Sequence, residues 1–254
     1  MRAERGHRIL AGTESGLSVI SGAEQFQVHE LAGREITALA RGDRAWWAIV
    51  EGRAIWRAVD GGAWREVATL EKWTATCLLP LATGLYVGTE SAHLLRLVFH
   101  PSRGALAPVP SFEEAEGRNE WYTPWGDPAD IRSMAVDRAR AIYVNIQVGG
   151  VVRSRDGGRS WKPTLDIETD VHQVIVHPPR PGVVLVAAAV GFGASRDGGS
   201  SWQFYTKGLH ATYLRAVAVS EETVRVTAST GPGSRRNAVY RKALEGDDPF
   251  ERCR

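Results

Sequence analysis

The sequence lacks long hydrophobic runs and is poor in cysteine and methionine, with two of each among 254 residues. No apolar run approaches the roughly 20 residues that a helix needs to cross a bilayer. Cys77 and Cys253 are the only cysteines and lie far apart in the sequence, which argues against a disulfide scaffold. No apolar stretch follows the first eight residues, so secretion is not predicted either. We therefore expect a cytoplasmic protein without a membrane span.

The sequence also lacks a strong excess of charge of either sign. Its 31 basic and 29 acidic side chains give a formal net charge of +2, which removes the simplest electrostatic argument for a nucleic-acid partner. Walker loops, dinucleotide-binding glycine patterns and nucleophile elbows are missing, and the seven histidines form no short ligand pair. We expect no nucleic acid, no cofactor and no metal.

Glycine, proline and tryptophan are abundant, with 27, 12 and 9 residues, a composition that favours short strands joined by tight turns. Residues 154–161 read Ser-Arg-Asp-Gly-Gly-Arg-Ser-Trp, and a near copy at 195–202 starts 41 residues later. A weaker copy at 58–64 lacks the serine and one residue before the tryptophan. A repeat of about 40 residues predicts propeller blades or solenoid units.

Short runs rich in valine, alanine and isoleucine surround the repeats, as at 141–146 and 183–188. Each repeat reads as an inner strand, a second strand, a hairpin and an outer strand, which together make one propeller blade. The predicted inner strands are residues 36–40, 75–79, 132–136, 172–176 and 215–219. The first segment, with strands at 8–13, 16–20 and 25–31, reads as a blade without its inner strand.

These patterns predict one all-β domain over residues 1–254, a β-propeller of about six four-stranded blades. Residues 250–253 supply the last outer strand, so no strand remains to close the ring. Two alternatives stay open: the ring closes by side-chain packing alone, or the natural chain is longer.

The Ser-x-Asp-Gly-Gly-x-x-Trp copies resemble the Asp-box, or BNR, repeat of sialidases, sortilin-type receptors, certain endoglucanases and a photosystem assembly factor, all of which are β-propellers. An aspartate in such a turn accepts backbone N–H bonds, glycines adopt positive φ, and tryptophan covers the hairpin. Because the same role must recur in several blades, we predict a structural clamp and not a catalytic acid. The predicted clamp residues are Ser154, Asp156, Gly158, Trp161, Ser195, Asp197, Gly199 and Trp202.

The loops that lead into the inner strands are richer in functional side chains than the strands. Arg132, His172 and Arg215 occupy one equivalent position, and Asp130, Asp170 and Tyr213 precede them by two residues. Alternate residues of a strand share a face, so both sets are expected at the channel mouth, beside aromatic residues of an insertion at 119–130. The predicted ligand-binding residues are Arg132, His172, Arg215, Trp121, Tyr122, Trp125, Asn145, Gln147, His210 and Arg235.

Two functions are consistent with these residues. The resemblance to sialidases implies an arginine triad, a tyrosine nucleophile and an aspartic acid/base. The candidates are Arg132, Arg215 and Arg235 or Arg236 for the triad, Tyr213 or Tyr122 for the nucleophile, and Asp130 or Asp170 for the acid. However, the sialidase Phe/Tyr-Arg-Ile-Pro motif is matched only by His7-Arg8-Ile9-Leu10.

Because no complete catalytic set is visible, the first prediction is a non-catalytic binding or scaffold protein. Its ligand is expected to be a peptide, a glycan, another small molecule or a partner protein held at the channel mouth. The alternative is a glycoside hydrolase that uses Asp130, Asp170 and Tyr213.

Overall fold

The computed structural model describes residues 8–21, 24–99, 104–123 and 125–254. His7 of the partial sialidase motif and Pro124 of the insertion lie outside them. The chain divides into two compact units. The first contains residues 1–89 and 95–108, and the second contains residues 90–94 and 109–254.

The first unit is built from antiparallel sheets in which each strand pairs with its neighbour in sequence. Its first sheet has three strands among the described residues: β1 (Arg8–Thr13), β2 (Gly16–Ser21) and β3 (Glu24–Glu30). The second contains β4 (Ile36–Arg41), β5 (Ala45–Val50), β6 (Ala54–Val59) and β7 (Arg65–Thr69). The third contains β8 (Ala75–Leu81), β9 (Gly84–Thr89), β10 (Leu94–Phe99) and β11 (Gly104–Pro108).

The second unit contains short helical segments and three four-stranded sheets. The helical segments are α1 (Pro110–Glu113) and 3-10 turns at Glu90–Ala92, Arg118–Glu120 and Ile167–Thr169. The fourth sheet contains β12 (Ile131–Val136), β13 (Ile142–Ile146), β14 (Val151–Ser154) and β15 (Lys162–Leu165). The fifth contains β16 (Val171–Val176), β17 (Val184–Ala188), β18 (Gly191–Ser195) and β19 (Gln203–Tyr205). The sixth contains β20 (Tyr213–Ser220), β21 (Thr223–Ser229), β22 (Asn237–Ala243) and β23 (Glu251–Arg252).

The core lies between neighbouring sheets. Every residue of β13 and β17 is buried, because sheet neighbours cover both faces of a second strand. In the second unit, Phe192 of the fifth sheet packs in one apolar cluster with Leu214 and Val226 of the sixth. Successive four-stranded sheets packed face to face are the blades of a β-propeller. The prediction of an all-β propeller with about six blades is confirmed.

The first strand of every four-stranded sheet contains one extra residue near its start. The pairing register shifts there by one residue, as in a β-bulge. The extra residues are Thr37, Thr76, Arg132, His172 and Arg215. A bulge bends the strand and re-aims the extra side chain. The first unit carries threonine at this point, whereas the second unit carries ionisable side chains.

Both complete repeats form the same hydrogen-bonded hairpin. The Ser154 hydroxyl oxygen accepts the Gly158 N–H at 2.8 Å, and Asp156 Oδ1 accepts the N–H groups of Arg159 at 2.9 Å and Ser160 at 3.0 Å. The second copy, at Ser195 and Asp197, repeats these bonds at 2.7, 2.9 and 2.9 Å. Both aspartates therefore act as acceptors that close the hairpin.

The tryptophan of each repeat also forms a contact beyond its own hairpin. The Trp202 indole N–H donates to the Thr164 carbonyl of β15 at 2.7 Å. That of Trp161 donates to the Ser111 hydroxyl at 3.3 Å. Each indole therefore ties its blade to the segment that precedes it.

The weak copy keeps the tryptophan contact and loses the aspartate clamp. Trp64 donates to the Glu30 carboxylate of β3 at 2.5 Å. Asp60 instead forms an exposed ion pair with Arg44 at 2.9 Å, and within the described ranges its carboxylate accepts no backbone N–H. The missing serine and the shorter turn account for this difference, because the clamp needs both side chains at the spacing of the complete copies.

Candidate functional site

Three successive inner strands of the second unit bring five of the predicted residues together. We call Arg132, Asp170, His172, Tyr213 and Arg215 the inner-strand cluster. Asp170 lies 3.6 Å from Arg132 Nη1 and 3.5 Å from His172 Nε2, measured from its two carboxylate oxygens. The His172 and Tyr213 ring centroids are 4.5 Å apart, and the Arg215 guanidinium lies 5.4 Å from the Tyr213 centroid.

His172 is the buried centre of the cluster, with 3% of its side chain exposed. Its Nδ1 lies 2.5 Å from the Leu214 carbonyl oxygen. Since a carbonyl only accepts, Nδ1 must carry the hydrogen. Nε2 faces Asp170 but has no hydrogen-bond partner within the described residues. A proton on Nε2 would turn this contact into an ion pair.

The electrostatics of the cluster are positive. Burial raises the pKa of Asp170, but the adjacent His172 ring and the positive charges of Arg132 and Arg215 outweigh it and hold this pKa below its usual value. Burial lowers the pKa of Arg132, an effect that Asp170 opposes, and a guanidinium remains charged at neutral pH. Arg132 lies beside the Asp170 carboxylate, and Arg215 lies over the Tyr213 ring. The inner-strand cluster thus contains two guanidinium groups and one carboxylate, a balance that favours an anionic ligand.

Asp130 has a different role from Asp170. Its Oδ1 accepts the backbone N–H of Ser91 at 3.0 Å. Ser91 and Ala92 both have left-handed backbone conformations, with φ of 61° and 50°, which are strained for residues with a Cβ atom. Burial raises the pKa of Asp130, and the Ser91 hydrogen bond opposes it. Asp130 thus stabilises a strained turn through one of its two carboxylate oxygens.

Asn145 lies in β13 and Gln147 directly follows that strand, and both side chains are buried. Asn145 is fully buried, and its Nδ2 donates to the Val171 carbonyl at 2.8 Å while its Oδ1 accepts the Ser133 hydroxyl at 3.2 Å. Its side chain therefore holds two inner strands together and leaves no exposed atom for a ligand. Gln147 is 4% exposed.

The aromatic residues of the insertion occupy different environments. Trp121 is half-buried, with its ring centroid 5.6 Å from that of Phe112 and Arg118 5.1 Å above its face. Tyr122 is exposed, and its hydroxyl donates to Glu168 at 3.0 Å. Trp125 is 65% exposed. Only Tyr122 and Trp125 therefore present much ring surface to solvent.

His210 and Arg235 belong to another contact set. His210 stacks on Tyr240 with 5.7 Å between ring centroids, and it contacts the Tyr240 hydroxyl at 2.9 Å. Its Nε2 lies 3.2 Å from the Arg236 carbonyl oxygen. Arg235 is exposed in the β21–β22 loop, which also contains Arg236. His210 thus contacts the backbone of this loop.

Sequence reasoning missed three polar residues that organise the site. Ser133 Oγ accepts the Val174 N–H at 2.9 Å, and Gln173 Oε1 accepts the Val217 N–H at 2.8 Å, so each ties its inner strand to the next. Glu168 accepts a hydrogen bond from the Tyr122 hydroxyl. The sequence signal for Ser133 and Gln173 was a polar residue directly after Arg132 or His172, within an otherwise apolar strand.

Two negative findings apply to the described part of the chain. It contains no group of three or more histidine, cysteine, aspartate or glutamate residues that could hold a metal ion. None of its helices is long and apolar enough to cross a membrane.

Comparisons with known proteins agree on the fold. No family model and no curated protein matches the sequence. Among solved structures, YCF48 bound to a D1 peptide is similar, with a TM-score of 0.64 and 12% identity over 98% of this chain and 78% of that one. The fold is a β-propeller.

Two further structures extend this comparison. YCF48 from Cyanidioschyzon merolae has a TM-score of 0.66 and 11% identity over 98% of this chain and 86% of that one. An ancestral GH74 enzyme has a TM-score of 0.65 and 16% identity over 99% of this chain, which spans only 33% of the enzyme. Identities this low establish the fold and leave the activity to be argued from the site.

Proposed function

We propose that this chain is a non-catalytic Asp-box propeller that binds a peptide segment of a partner protein at the inner-strand cluster. The observation that carries the proposal is the inner-strand cluster, in which Arg132 and His172 face the single carboxylate of Asp170. Arg215 adds a second guanidinium over the neighbouring Tyr213 ring. The cluster has an excess of positive charge, so the bound group is a carboxylate, either of an acidic side chain or of a peptide terminus.

Two further findings support this proposal. The closed hairpins at Asp156 and Asp197 have the acceptor pattern that the Asp-box resemblance implies, which supports membership in that group of propellers. A structurally similar protein, YCF48, has been solved with a D1 peptide bound. Three neighbouring sheets that present Arg132, His172 and Arg215 from their inner strands can bind a ligand without a catalytic residue.

The test is binding of the purified chain to an immobilised array of random heptapeptides with free C-termini, followed by affinity measurement for the selected peptides. We expect Arg132→Gln and Arg215→Gln each to weaken binding by about tenfold, since a charged hydrogen bond is worth about 1.5–3 kcal/mol. Arg138→Gln is the matched control, because Arg138 is exposed in the β12–β13 hairpin. Equal affinity of all four proteins would contradict the proposal.

Glycoside hydrolysis is the second candidate, and one observation favours it. Burial raises the pKa of Asp130, whereas the cationic neighbours of Asp170 lower its pKa despite burial. Carboxyl groups with opposite shifts suit an acid and an ionised partner. Hydrolysis of aryl-glycoside and sialoside reporters, lost in both Asp130→Asn and Asp170→Asn, would favour this function over binding alone.

A further inference from the structure

The buried ring of His172 has one nitrogen without a hydrogen-bond partner. Because Nδ1 donates to the Leu214 carbonyl oxygen, Nε2 of the neutral ring carries a lone pair and no hydrogen. Nε2 is buried and has no hydrogen-bond partner among the described residues. The Asp170 carboxylate faces it at 3.5 Å. With a neutral ring, two acceptors therefore face each other in a buried place, an arrangement that costs free energy.

Asp170 also lacks hydrogen-bond donors. Its carboxylate oxygens lie 3.6 Å from Arg132 Nη1 and 3.5 Å from His172 Nε2, both beyond the roughly 2.7–3.2 Å of an N–H···O hydrogen bond. Within the described residues its carboxylate accepts no hydrogen bond. The side chains of Arg132 and Asp170 are 25% and 27% exposed, whereas that of His172 is 3% exposed. A ligand can therefore reach the arginine and the carboxylate but not the imidazole.

The strands packed around His172 bring no second carboxylate to the ring. β17, which pairs with β16, contains no titratable side chain, and β13 contacts the Val171 carbonyl through the neutral Asn145 amide. The titratable or charged groups that face the ring or its carboxylate are Asp170, Arg132 of β12, and Tyr213 and Arg215 of β20. A proton on Nε2 would therefore have Asp170 as its acceptor.

We propose that the inner-strand cluster binds its anion together with one proton, which His172 Nε2 takes up. This inference rests on the proposed function and adds its regulation by pH. A carboxylate ligand drawn to Arg132 and Arg215 places negative charge near Asp170. A proton on Nε2 offsets that charge and pairs with Asp170, so Asp170 competes less for Arg132. Because the ligand does not reach the ring, His172 is a positioning residue that acts through Asp170.

The direction of the pH effect follows from the charges of the cluster. Two guanidinium groups and one carboxylate sum to +1, and a proton on His172 raises the sum to +2. Imidazole ordinarily changes charge between about pH 5 and pH 8, a range in which a ligand carboxylate stays ionised. Affinity for a carboxylate should therefore rise by about three- to tenfold as the pH falls from about 8 to about 5.5.

The probe for the test is N-acetylglycine, and its uncharged control is N-acetylglycinamide. Protein labelled with ¹⁵N at its seven histidines is observed by long-range ¹H–¹⁵N NMR, which reports the hydrogen on each ring nitrogen. The His172 signals are assigned from His172→Gln. At a constant pH of about 7, we expect N-acetylglycine to raise the protonated fraction of His172 and the amide to leave it unchanged. His177 is the internal control, because it is also buried with one unpartnered ring nitrogen and forms no ion pair among the described residues.

Variants separate proton uptake from the anion site itself. Asp170→Asn removes both the acceptor for the proton and the competitor for Arg132. We therefore expect it to bind N-acetylglycine at about pH 8 at least as tightly as the wild type, with less than about a twofold change down to about pH 5.5. His172→Gln should lose the pH dependence as well, and thermal melting checks that it is folded. Arg138→Gln, at an exposed hairpin arginine, should keep the wild-type pH dependence.

The outcomes distinguish this inference from the proposed function. Binding of N-acetylglycine without a change in the charge of His172, or with unaltered pH dependence in Asp170→Asn, would overturn proton uptake and leave the anion site standing. No binding of N-acetylglycine to any of these proteins would overturn the anion site and the inference with it. A ring hydrogen on Nε2 instead of Nδ1 in the ligand-free protein at about pH 8 would overturn the inference whatever ligand binds, since Nε2 would already donate to Asp170.

Discussion

At the scale of single residues, Asp170 determines the charge balance of the inner-strand cluster. It has φ of 46°, a left-handed conformation that costs a non-glycine residue free energy. The contacts of its carboxylate with Arg132 and His172 offset this cost. Such local strain at a charged cluster is more typical of a binding site than of a purely structural turn.

Asp170 makes a testable contribution to pH-dependent stability. Because its folded pKa is depressed, its contribution is present above its unfolded pKa, about 3.9, and is lost as pH falls through the folded value. We expect the melting temperature of Asp170→Asn to fall less steeply than that of the wild type below about pH 5. Thermal unfolding followed by circular dichroism measures both curves. Asp43→Asn, at an exposed aspartate, should parallel the wild type, and parallel curves for all three proteins would contradict this assignment.

Asn145 should affect stability and leave ligand binding unchanged. Asn145→Ala leaves the Val171 carbonyl and the Ser133 hydroxyl without a buried partner, at a cost of about 1–3 kcal/mol. We expect the melting temperature to fall by roughly 3–10 °C, with Asn237→Ala, in an exposed strand position, as the control at less than about 2 °C. A weaker affinity for selected peptides with unchanged melting would show instead that Asn145 contacts the ligand.

At the scale of elements, the indole and the aspartate of the repeated hairpin have different structural roles. Trp64, Trp161 and Trp202 all donate to the preceding segment, including in the copy that lost the clamp. The indole thus joins each blade to the segment before it, and the aspartate shapes the turn. The indole contact persists in the shortened hairpin of the weak copy, whereas the aspartate hydrogen bonds to the backbone do not.

This division predicts unequal effects of two aspartate substitutions. Asp197→Ala removes the acceptor of two backbone N–H groups and of the Ser201 hydroxyl, and we expect a fall in melting temperature of about 3–8 °C. Asp60→Ala breaks only an exposed ion pair and should cost less than about 2 °C. Differential scanning calorimetry compares the two, and equal losses would mean that Asp197 does not clamp its hairpin.

Sequence periodicity predicted most strands well, but it did not predict the shifts in pairing register. The inner strand predicted at 172–176 is observed at Val171–Val176, because a short run rich in β-branched residues between turn residues indicates a strand. The extra residue at His172 leaves no such signal, since a bulge depends on pairing with β17. Alignment of Arg132, His172 and Arg215 still placed them together, because equivalent blade positions are repeated in space.

At the scale of the whole molecule, the sequence could not distinguish a ligand-facing polar residue from a buried one. Asn145 and Trp125 both read as polar or aromatic loop residues, yet one is fully buried and the other is 65% exposed. That outcome depends on which neighbouring blade covers each side chain. The clustering of Arg132, His172 and Arg215 was therefore predictable from the repeat, whereas the environments of the other candidate residues required the packed sheets.

The near-zero net charge of the molecule predicts how salt affects peptide binding. A formal charge of +2 from 31 basic and 29 acidic groups gives little long-range steering, so the association rate should change by less than about threefold between 50 and 500 mM NaCl. The local excess of Arg132 and Arg215 should instead raise the dissociation rate with salt. Stopped-flow or biolayer kinetics with a selected peptide separates the two rates. An association rate that falls tenfold or more would mean that the field of a larger basic surface, and not the inner-strand cluster alone, captures the ligand.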